Sequence, residues 1–309
     1  MTRLSVFLFC ILWLTGCSKE DRIAFVLSPP KQGDVYVAGI VDDKAILWKN
    51  GIEQYLTANT DKSTALSVFV SAADVYVAGK ISNKAVLWKN GVVKNLSDDG
   101  VANSVFVAGD DVFVAGIIGN SAVLWKNGVV QNLSDGALEA EAKSVYIFDK
   151  DVYVVGSKLW KNGVVQKLAD GTEHPGGSSV FVASDDVYVA GTNRGAVVLK
   201  NGIEQRLIDG YMHSASAISI FVSGNDVYVT GSSDSRDGYR GYLWKNGEDI
   251  YSASETFINS VYVTGDDVYI VGGGIPISAI LWKNNEANLL TKGNNGFAAT
   301  RAFSIFVVE

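Results

Sequence analysis

A segment of about 40 residues recurs seven times along this chain, and its clearest copy reads SVFVAGDDVFVAG and then AVLWKNGVVQNLSDG. The first copy lacks the SVFV half, and the chain ends on that half at residues 304–307. Repeats of about this length are typical of arrays of small sheets. A repeat divided between the two ends predicts a closed ring. An Asp opens the second half of every copy, at Asp34, Asp74, Asp111, Asp151, Asp186, Asp226 and Asp267.

Each copy contains four short runs that are rich in Val, Tyr and Phe and bounded by Gly, Asn and Asp, which predicts four strands, A to D. Asn-Gly joins C to D and favours a two-residue type I′ turn, because both of its central residues need a positive φ. We expect Gly109-Asp110 to join A to B in the same way. The pattern predicts an all-β fold, a seven-bladed β-propeller of four-stranded antiparallel blades closed by the C-terminal strand joining the N-terminal blade.

A two-residue A–B turn also predicts the register of the inner strand pair. It places an aromatic residue of strand A opposite one of strand B, and such pairs contribute about 0.2–1 kcal/mol each beyond burial. A solenoid is the alternative, but it needs polar capping repeats at its ends, whereas these ends are complementary halves. The predicted pairs are Phe69 with Tyr76, Phe106 with Phe113, Tyr146 with Tyr153, Phe181 with Tyr188, Phe221 with Tyr228, Tyr262 with Tyr269, and Phe306 with Tyr36.

The strand B motif resembles that of a known group of repeat proteins. DVYVTG at residues 226–231 and the related DVYVAG copies are similar to the repeats of YVTN and NHL-type propellers. The resemblance covers nearly all of residues 34–309. It implies the fold much more than an activity.

The first residues have the pattern of an export signal. Arg3 precedes an apolar run at residues 4–14 that is too short to span a bilayer and is typical of a signal peptide. The run ends in LTGC at Cys17, which resembles the lipobox of bacterial lipoproteins, where the Cys is acylated and becomes the first mature residue. An ordinary secretory signal with an incidental Cys is the alternative. We expect a lipoprotein signal peptide at 1–16, a lipidated Cys and tether at 17–33, and the propeller at 34–309.

The residues after Cys17 bear on localisation. Ser18 does not resemble the Asp that retains lipoproteins at the inner membrane, and Lys19 with two following acids resembles a surface-export signal. A plain solvated tether is the alternative. We expect a Gram-negative outer membrane lipoprotein, periplasmic or surface-exposed, that contacts the membrane through its N-terminal lipid.

Cysteine use and charge exclude several classes of function. Cys10 would leave with the signal and Cys17 would carry lipid, so disulfides and Cys catalysis are not expected. The net charge of −7 argues against nucleic acid, which needs clustered Lys and Arg. We expect a monomer with no cofactor and no metal.

The two faces of such a ring differ in how much they vary. In an antiparallel blade, A–B and C–D turns share one face, and B–C and D–A loops share the other. The strand A Ser and the strand B Asp are seven residues apart in all six continuous copies. The B–C loop instead shortens in the fourth copy and lengthens in the sixth. Function is usually carried by variable loops on a rigid scaffold.

The sixth B–C loop, residues 232–241, is the most distinctive segment of the variable face. Its Arg236, Tyr239 and Arg240 are residue types that hold a carboxylate, a phosphate or a sugar ring. An ordinary polar insertion is the alternative. Further candidates on the same face are His174, Arg194, Tyr211, His213 and Arg301.

Other patterns favour structural roles. His174 and His213 are the only histidines and have no carboxylate at a diagnostic spacing, so we expect exposed loop histidines. Acid pairs such as Asp110-Asp111 fit turn chemistry better than Ca²⁺ loops. Gly272-Gly273-Gly274 lacks the following helix of a phosphate cradle.

A Trp recurs at one place in strand C, and its constancy predicts packing between blades, with Leu199 replacing it in the fifth copy. Lectin-like sugar sites, one per blade, remain the alternative. The row consists of Trp48, Trp88, Trp125, Trp160, Trp244 and Trp282.

No hydrolase, metalloprotease, P-loop or dinucleotide motif occurs in the sequence. We therefore expect a non-enzymatic binding or scaffolding protein for a protein, peptide or glycan. A lectin with repeated blade sites and a glycan-active enzyme at the channel mouth are the alternatives.

Overall fold

A computed structural model describes residues 28–57, 61–136, 140–168, 176–208, 214–235, 238–274, 277–292 and 299–309. The described residues form strands and turns and no helix. They therefore hold no helix with the length and apolar character needed to cross a membrane.

Twenty-eight strands follow one another in the described chain. Blade 1 contains β1 (Val35–Val41), β2 (Lys44–Lys49) and β3 (Ile52–Tyr55). Blades 2 and 3 contain β4 (Ser63–Ser71), β5 (Asp74–Ile81), β6 (Lys84–Lys89), β7 (Val92–Ser97), β8 (Val101–Ala108), β9 (Asp111–Ile118), β10 (Ser121–Lys126) and β11 (Val129–Asn132). Blades 4 and 5 contain β12 (Ala142–Phe148), β13 (Asp151–Gly156), β14 (Leu159–Lys161), β15 (Val164–Gln166), β16 (Gly176–Ala183), β17 (Asp186–Thr192), β18 (Ala196–Lys200) and β19 (Ile203–Arg206).

Blades 6 and 7 complete the chain order, and the last strand returns to blade 1. These strands are β20 (Ser214–Ser223), β21 (Asp226–Ser235), β22 (Gly238–Lys245), β23 (Glu248–Ser254), β24 (Thr256–Thr264), β25 (Asp267–Gly274), β26 (Ser278–Lys283), β27 (Glu286–Lys292) and β28 (Arg301–Val307).

The strands form seven four-stranded antiparallel sheets, as predicted, with strand A of each copy innermost. The first sheet has the order β28-β1-β2-β3, so the last strand supplies the inner strand of blade 1. Tyr36 lies opposite Phe306 in that sheet. The predicted closure and the seven-bladed propeller are therefore confirmed.

Within the described ranges, the hydrophobic core consists of seven clusters, each lying between two adjacent blades. The six Trp side chains belong to these clusters and are only 0–3% exposed. Leu199 occupies the same place in blade 5 and is 1% exposed. The prediction of Trp packing is confirmed, and because their rings are covered, the Trp residues do not form sugar platforms.

The two kinds of turn differ more than the sequence suggested. At the C–D turns both residues have positive φ, for example Asn127 at 54° and Gly128 at 85°, as type I′ requires. At the A–B turns only the first residue lies in the left-handed region, as with Gly109 at 59° and Ala72 at 51°. The expectation that both turns share one geometry was wrong, since type I′ needs positive φ at both positions.

The predicted cross-strand register is present in all seven blades. The ring contacts of the strand A aromatics run from blade to blade around the axis, at 4.6–5.3 Å between centroids. They form one closed belt made of Phe69, Phe106, Tyr146, Phe181, Phe221, Tyr262 and Phe306.

Serine hydroxyls link neighbouring inner strands. The amide of Val145 donates to Ser104 Oγ of the preceding blade at 3.2 Å. The same bond recurs at five further blade junctions at 3.1–3.4 Å. The innermost edge of a sheet has unpaired amides, and at these six junctions a strand A serine satisfies one of them.

A β-bulge interrupts strand A in every blade opposite the Gly of the DVYVAG motif. In blade 3 the Val101 carbonyl oxygen and the Trp125 ring occupy the space that a Cβ on Gly116 would need. The repeated Gly is therefore required by the close approach of the bulge and the Trp.

Candidate binding surface

We call the face with the A–B and C–D turns the turn face and the opposite face the loop face. Blade 6 rises from the loop face, because its strands β20 and β21 each have ten residues, whereas β12 and β13 of blade 4 have seven and six. The segment predicted as the sixth B–C loop is mostly paired strand, with Ser232 opposite Gly241 and Ser235 opposite Gly238. It was not recognised as strand because it is polar on both faces.

Three side chains lie in contact, one beside the next, on the loop face. The rings of Tyr239 and Phe257 lie 4.8 Å apart. The guanidinium carbon of Arg301 lies 4.5 Å from the centroid of Phe257. Tyr239 is 41% exposed, Phe257 is half-buried and Arg301 is exposed. We call these three residues the shelf; it brings together two of the predicted site residues, Tyr239 and Arg301.

The shelf forms because the chain places unusual residues at equivalent positions of adjacent blades. In strand A, Phe257 and Arg301 each come directly before the residue that lies opposite the repeated Gly of strand B. Blades 2, 3, 5 and 6 have Thr64, Val101, Gly176 and Ser216 there. Gly273 lies opposite Phe257, and a Cβ on it would lie 3.3 Å from Arg301 Cγ, so its lack of a side chain leaves room for the arginine.

Sequence reasoning missed Phe257. The available signal was an aromatic residue at a position where blades 2, 3, 5 and 6 have small or aliphatic residues and blade 4 has Glu141. The SVYV run predicts that strand A of this blade begins at Ser260, whereas the strand begins at Thr256 and includes Phe257.

The other predicted site residues do not all join the shelf. Arg240 follows Tyr239 on the same strand, so its side chain lies on the opposite face of the sheet, where it donates to Ser252 Oγ at 3.3 Å and Ser254 Oγ at 3.0 Å. Arg194 is exposed in the β17–β18 turn with a φ of 49°. His174, Tyr211, His213, Arg236 and the lipidation residue Cys17 lie outside the described residues.

The turn face carries one polar cluster per blade. In blade 2, Asp74 pairs with Lys89 and accepts from Asn90, and Asn90 Oδ1 accepts from the Val75 amide. Across the seven blades the Asp–Lys distances are 2.6–2.8 Å. Each Lys Nζ lies 5.2–5.3 Å from the centroid of the strand B aromatic ring.

These clusters explain the recurrence of Asp, Lys and Asn in the repeat. The Asp residues were attributed to turn preference, and each one also anchors the C–D turn to strand B through Asn and Lys. Hydrogen bonds from Lys89 and Asn90 lower the pKa of Asp74 below its usual value. Hydrogen bonds from the equivalent Lys and Asn of each blade likewise lower the pKa of Asp111, Asp151, Asp186, Asp226 and Asp267.

The cluster of blade 1 is the most buried of the seven. The side chains of Lys49 and Asp34 are 10% and 12% exposed, compared with 51% and 35% for Lys89 and Asp74. Residues just before the propeller cover it, since Lys49 Nζ donates to the carbonyl oxygen of Ser28 at 3.0 Å and to that of Pro29 at 3.3 Å. The chain therefore enters the described fold on the turn face.

Shallow cavities lie between blades on both faces. One of about 420 Å³ on the turn face is lined by residues of blades 3 and 4, including Lys126 and Asp149. One of about 540 Å³ on the loop face is lined by Asp43, Lys62 and Lys80. Within the part of the chain described, no three His, Cys, Asp or Glu side chains are grouped so as to hold a metal ion.

No protein family model matches this sequence, and no curated protein matches it. Solved structures match the fold. The computationally designed protein Ika8 has a TM-score of 0.51 at 15% identity, over 92% of this chain and 98% of that one. An extracellular domain assigned to a hybrid two-component system of B. thetaiotaomicron has a TM-score of 0.50 at 12% identity, over 77% of this chain and 37% of that one. At these identities the similarity shows the fold alone.

Proposed function

We propose that this protein is a non-enzymatic binding or scaffolding lipoprotein of the bacterial outer membrane, periplasmic or surface-exposed. In this proposal Cys17 carries the lipid and the loop face binds a protein, peptide or glycan. The extracellular location of the B. thetaiotaomicron domain with this fold is in keeping with export. The −7 charge of the chain disfavours nucleic acid as the ligand.

The shelf is the observation that carries the binding proposal. Tyr239 and Phe257 offer adjoining aromatic rings, and Arg301 offers a guanidinium beside them. Aromatic rings stack on flat or CH-rich surfaces, and a guanidinium pairs with planar anions. The shelf therefore suits a ligand that presents an apolar face next to a carboxylate or sulfate, as an acidic glycan or an acidic peptide does.

A glycan array and a peptide array probed with the full chain test this proposal. Tyr239→Ala and Arg301→Ala should each weaken binding at least about tenfold, which is about 1.4 kcal/mol. Tyr55→Ala is the matched control, because Tyr55 is 40% exposed on the outer strand of blade 1 and lies outside the shelf. Equal binding by all three variants would contradict the shelf as the binding site.

A further inference from the structure

Exposed aliphatic side chains are concentrated along one arc of the turn face. Of the twelve large hydrophobic side chains that are exposed among the described residues, eight occupy the first two positions of the outer strands of blades 1–5. Clustered exposure of this kind is typical of interaction surfaces. We call the set the aliphatic rim; it consists of Ile52, Val92, Val93, Val129, Val130, Val164, Val165 and Ile203.

The fold itself does not require aliphatic residues at these positions. Blades 6 and 7 form the same turn and outer strand, yet Glu248 and Glu286 stand at the first position. The corresponding residues of blades 1–5 remain 64–73% exposed. The rim is therefore an arc over blades 1–5, and the glutamates of blades 6 and 7 interrupt it. Its apolar side chains face solvent.

The N-terminal segment reaches the propeller at one end of this arc. Ser28 contacts Lys49, which precedes the β2–β3 turn and the first rim residue, Ile52. Cys17 precedes Ser28 by eleven residues, which span at most about 36–40 Å when fully extended. The ten-residue strands of blade 6 are already about 33 Å long. A lipid on Cys17 would thus easily reach a bilayer that lies beside the turn face. To reach a bilayer beside the loop face, residues 17–28 would have to be almost fully extended.

We propose that the aliphatic rim rests on the phospholipid leaflet that holds the lipid of Cys17, so that the turn face lies toward the membrane and the shelf away from it. This inference rests on the lipidation of Cys17 in the proposed function. Apolar side chains at the headgroup boundary bind in proportion to the apolar area they bury. A weak contact is sufficient here, because the tether keeps the rim at a high effective concentration near the bilayer.

Fluorescence quenching in vesicles tests this orientation with the acylated protein. A polarity-sensitive dye is placed on Val129→Cys in the rim or on Asn83→Cys, an exposed residue of the loop-face turn between β5 and β6. The vesicles contain phosphatidylethanolamine and phosphatidylglycerol with a quencher on the acyl chains. The dye at Val129→Cys should be quenched at least about threefold more than the dye at Asn83→Cys.

Two substitutions isolate the role of the rim. Val92→Glu and Val164→Glu copy the residue type of blades 6 and 7, so the fold should be retained. Added to the Val129→Cys protein, they should reduce its quenching to the level of the Asn83→Cys protein, while the protein stays on the vesicles through Cys17.

The possible failures are distinguishable. Equal quenching at both sites, with acyl-Cys17 found by mass spectrometry, would overturn the rim contact and leave the anchor intact. A protein without acyl-Cys17 that does not sediment with vesicles would overturn both proposals. Disulfide-linked pairs of unlabelled Val129→Cys chains, together with no quenching of the labelled protein, would overturn the membrane contact in favour of a second copy as the occupant.

Discussion

The guanidinium carbon of Arg301 lies 4.5 Å from the ring centroid of Phe257, although Arg301 begins β28, the inner strand of blade 1, and Phe257 lies in blade 7. The contact crosses the junction where the ring closes. It completes the aromatic surface that Tyr239 begins in blade 6. The shelf is thus built from three blades and exists only if those blades are neighbours.

The first prediction concerns the coupling within the shelf. Phe257→Leu and Arg301→Gln each remove the contact between ring and guanidinium. Because an exposed cation–π contact contributes about 0.5–1 kcal/mol, a double-mutant cycle in urea should give a coupling free energy in this range. Strictly additive losses in the free energy of unfolding would contradict the contact.

The second prediction compares two copies of the same ion pair. Lys49→Met leaves the buried Asp34 carboxylate without its cationic partner and should lower the free energy of unfolding by about 3 kcal/mol. Lys89→Met is the matched control, since its pair is half exposed and should contribute less than about 1 kcal/mol. Chemical denaturation measures both, and equal losses would contradict the role of burial by Ser28 and Pro29.

The third prediction concerns acid. The Lys161 ammonium and the Asn162 amide lower the pKa of Asp151 in the folded chain, so the unfolded chain takes up a proton first as the pH falls. The stabilisation that the charged Asp151 contributes to the folded chain is therefore present above about pH 4, where an Asp of the unfolded chain is ionised. It is lost as the pH falls through the lower pKa that Asp151 has in the folded chain. Melting curves from pH 7 to pH 2 should show the Tm gap between the native chain and Asp151→Asn narrowing with acid. A gap that does not change with pH would contradict this linkage.

The fourth prediction concerns the repeated Gly. A methyl group on Gly116 would overlap the Val101 carbonyl oxygen and the Trp125 ring, and overpacking of this kind costs about 1–3 kcal/mol. Gly116→Ala should therefore lower the Tm clearly. Gly176→Ala is the control, because no atom lies within 4 Å of the place its Cβ would take. A similar Tm for both variants would show that the bulge does not require Gly.

Sequence reasoning succeeded where the signal was local and repeated. Asn127-Gly128 and its copies identified the C–D turns, and the two-residue spacing at Gly109-Asp110 identified the register of Phe106 with Phe113. The divided repeat identified the pairing of Tyr36 with Phe306. Each of these depends on a few adjacent residues, or on counting copies.

It failed where a strand is stabilised by its neighbours rather than by its own residues. Residues 232–235 are polar and read as loop, but they pair with β20 and β22, which extend alongside them. The stacking of Arg301 on Phe257 depends on equivalent positions in blades 7 and 1. The two positions are recognised as equivalent only when the sequence copies are aligned by the position of the β-bulge. That position is known from the structure and not from the sequence.

The division into two faces, the shelf and the rim all depend on ring closure. Val35 and Val307 are direct partners in the closing sheet, and partners of an antiparallel pair lie within disulfide range. The measurement is mass spectrometry of mildly oxidised Val35→Cys/Val307→Cys protein in which Cys10 and Cys17 are replaced by Ser. We expect a nearly quantitative intramolecular disulfide with native melting behaviour; free thiols in the folded protein, or a disulfide only between chains, would contradict ring closure.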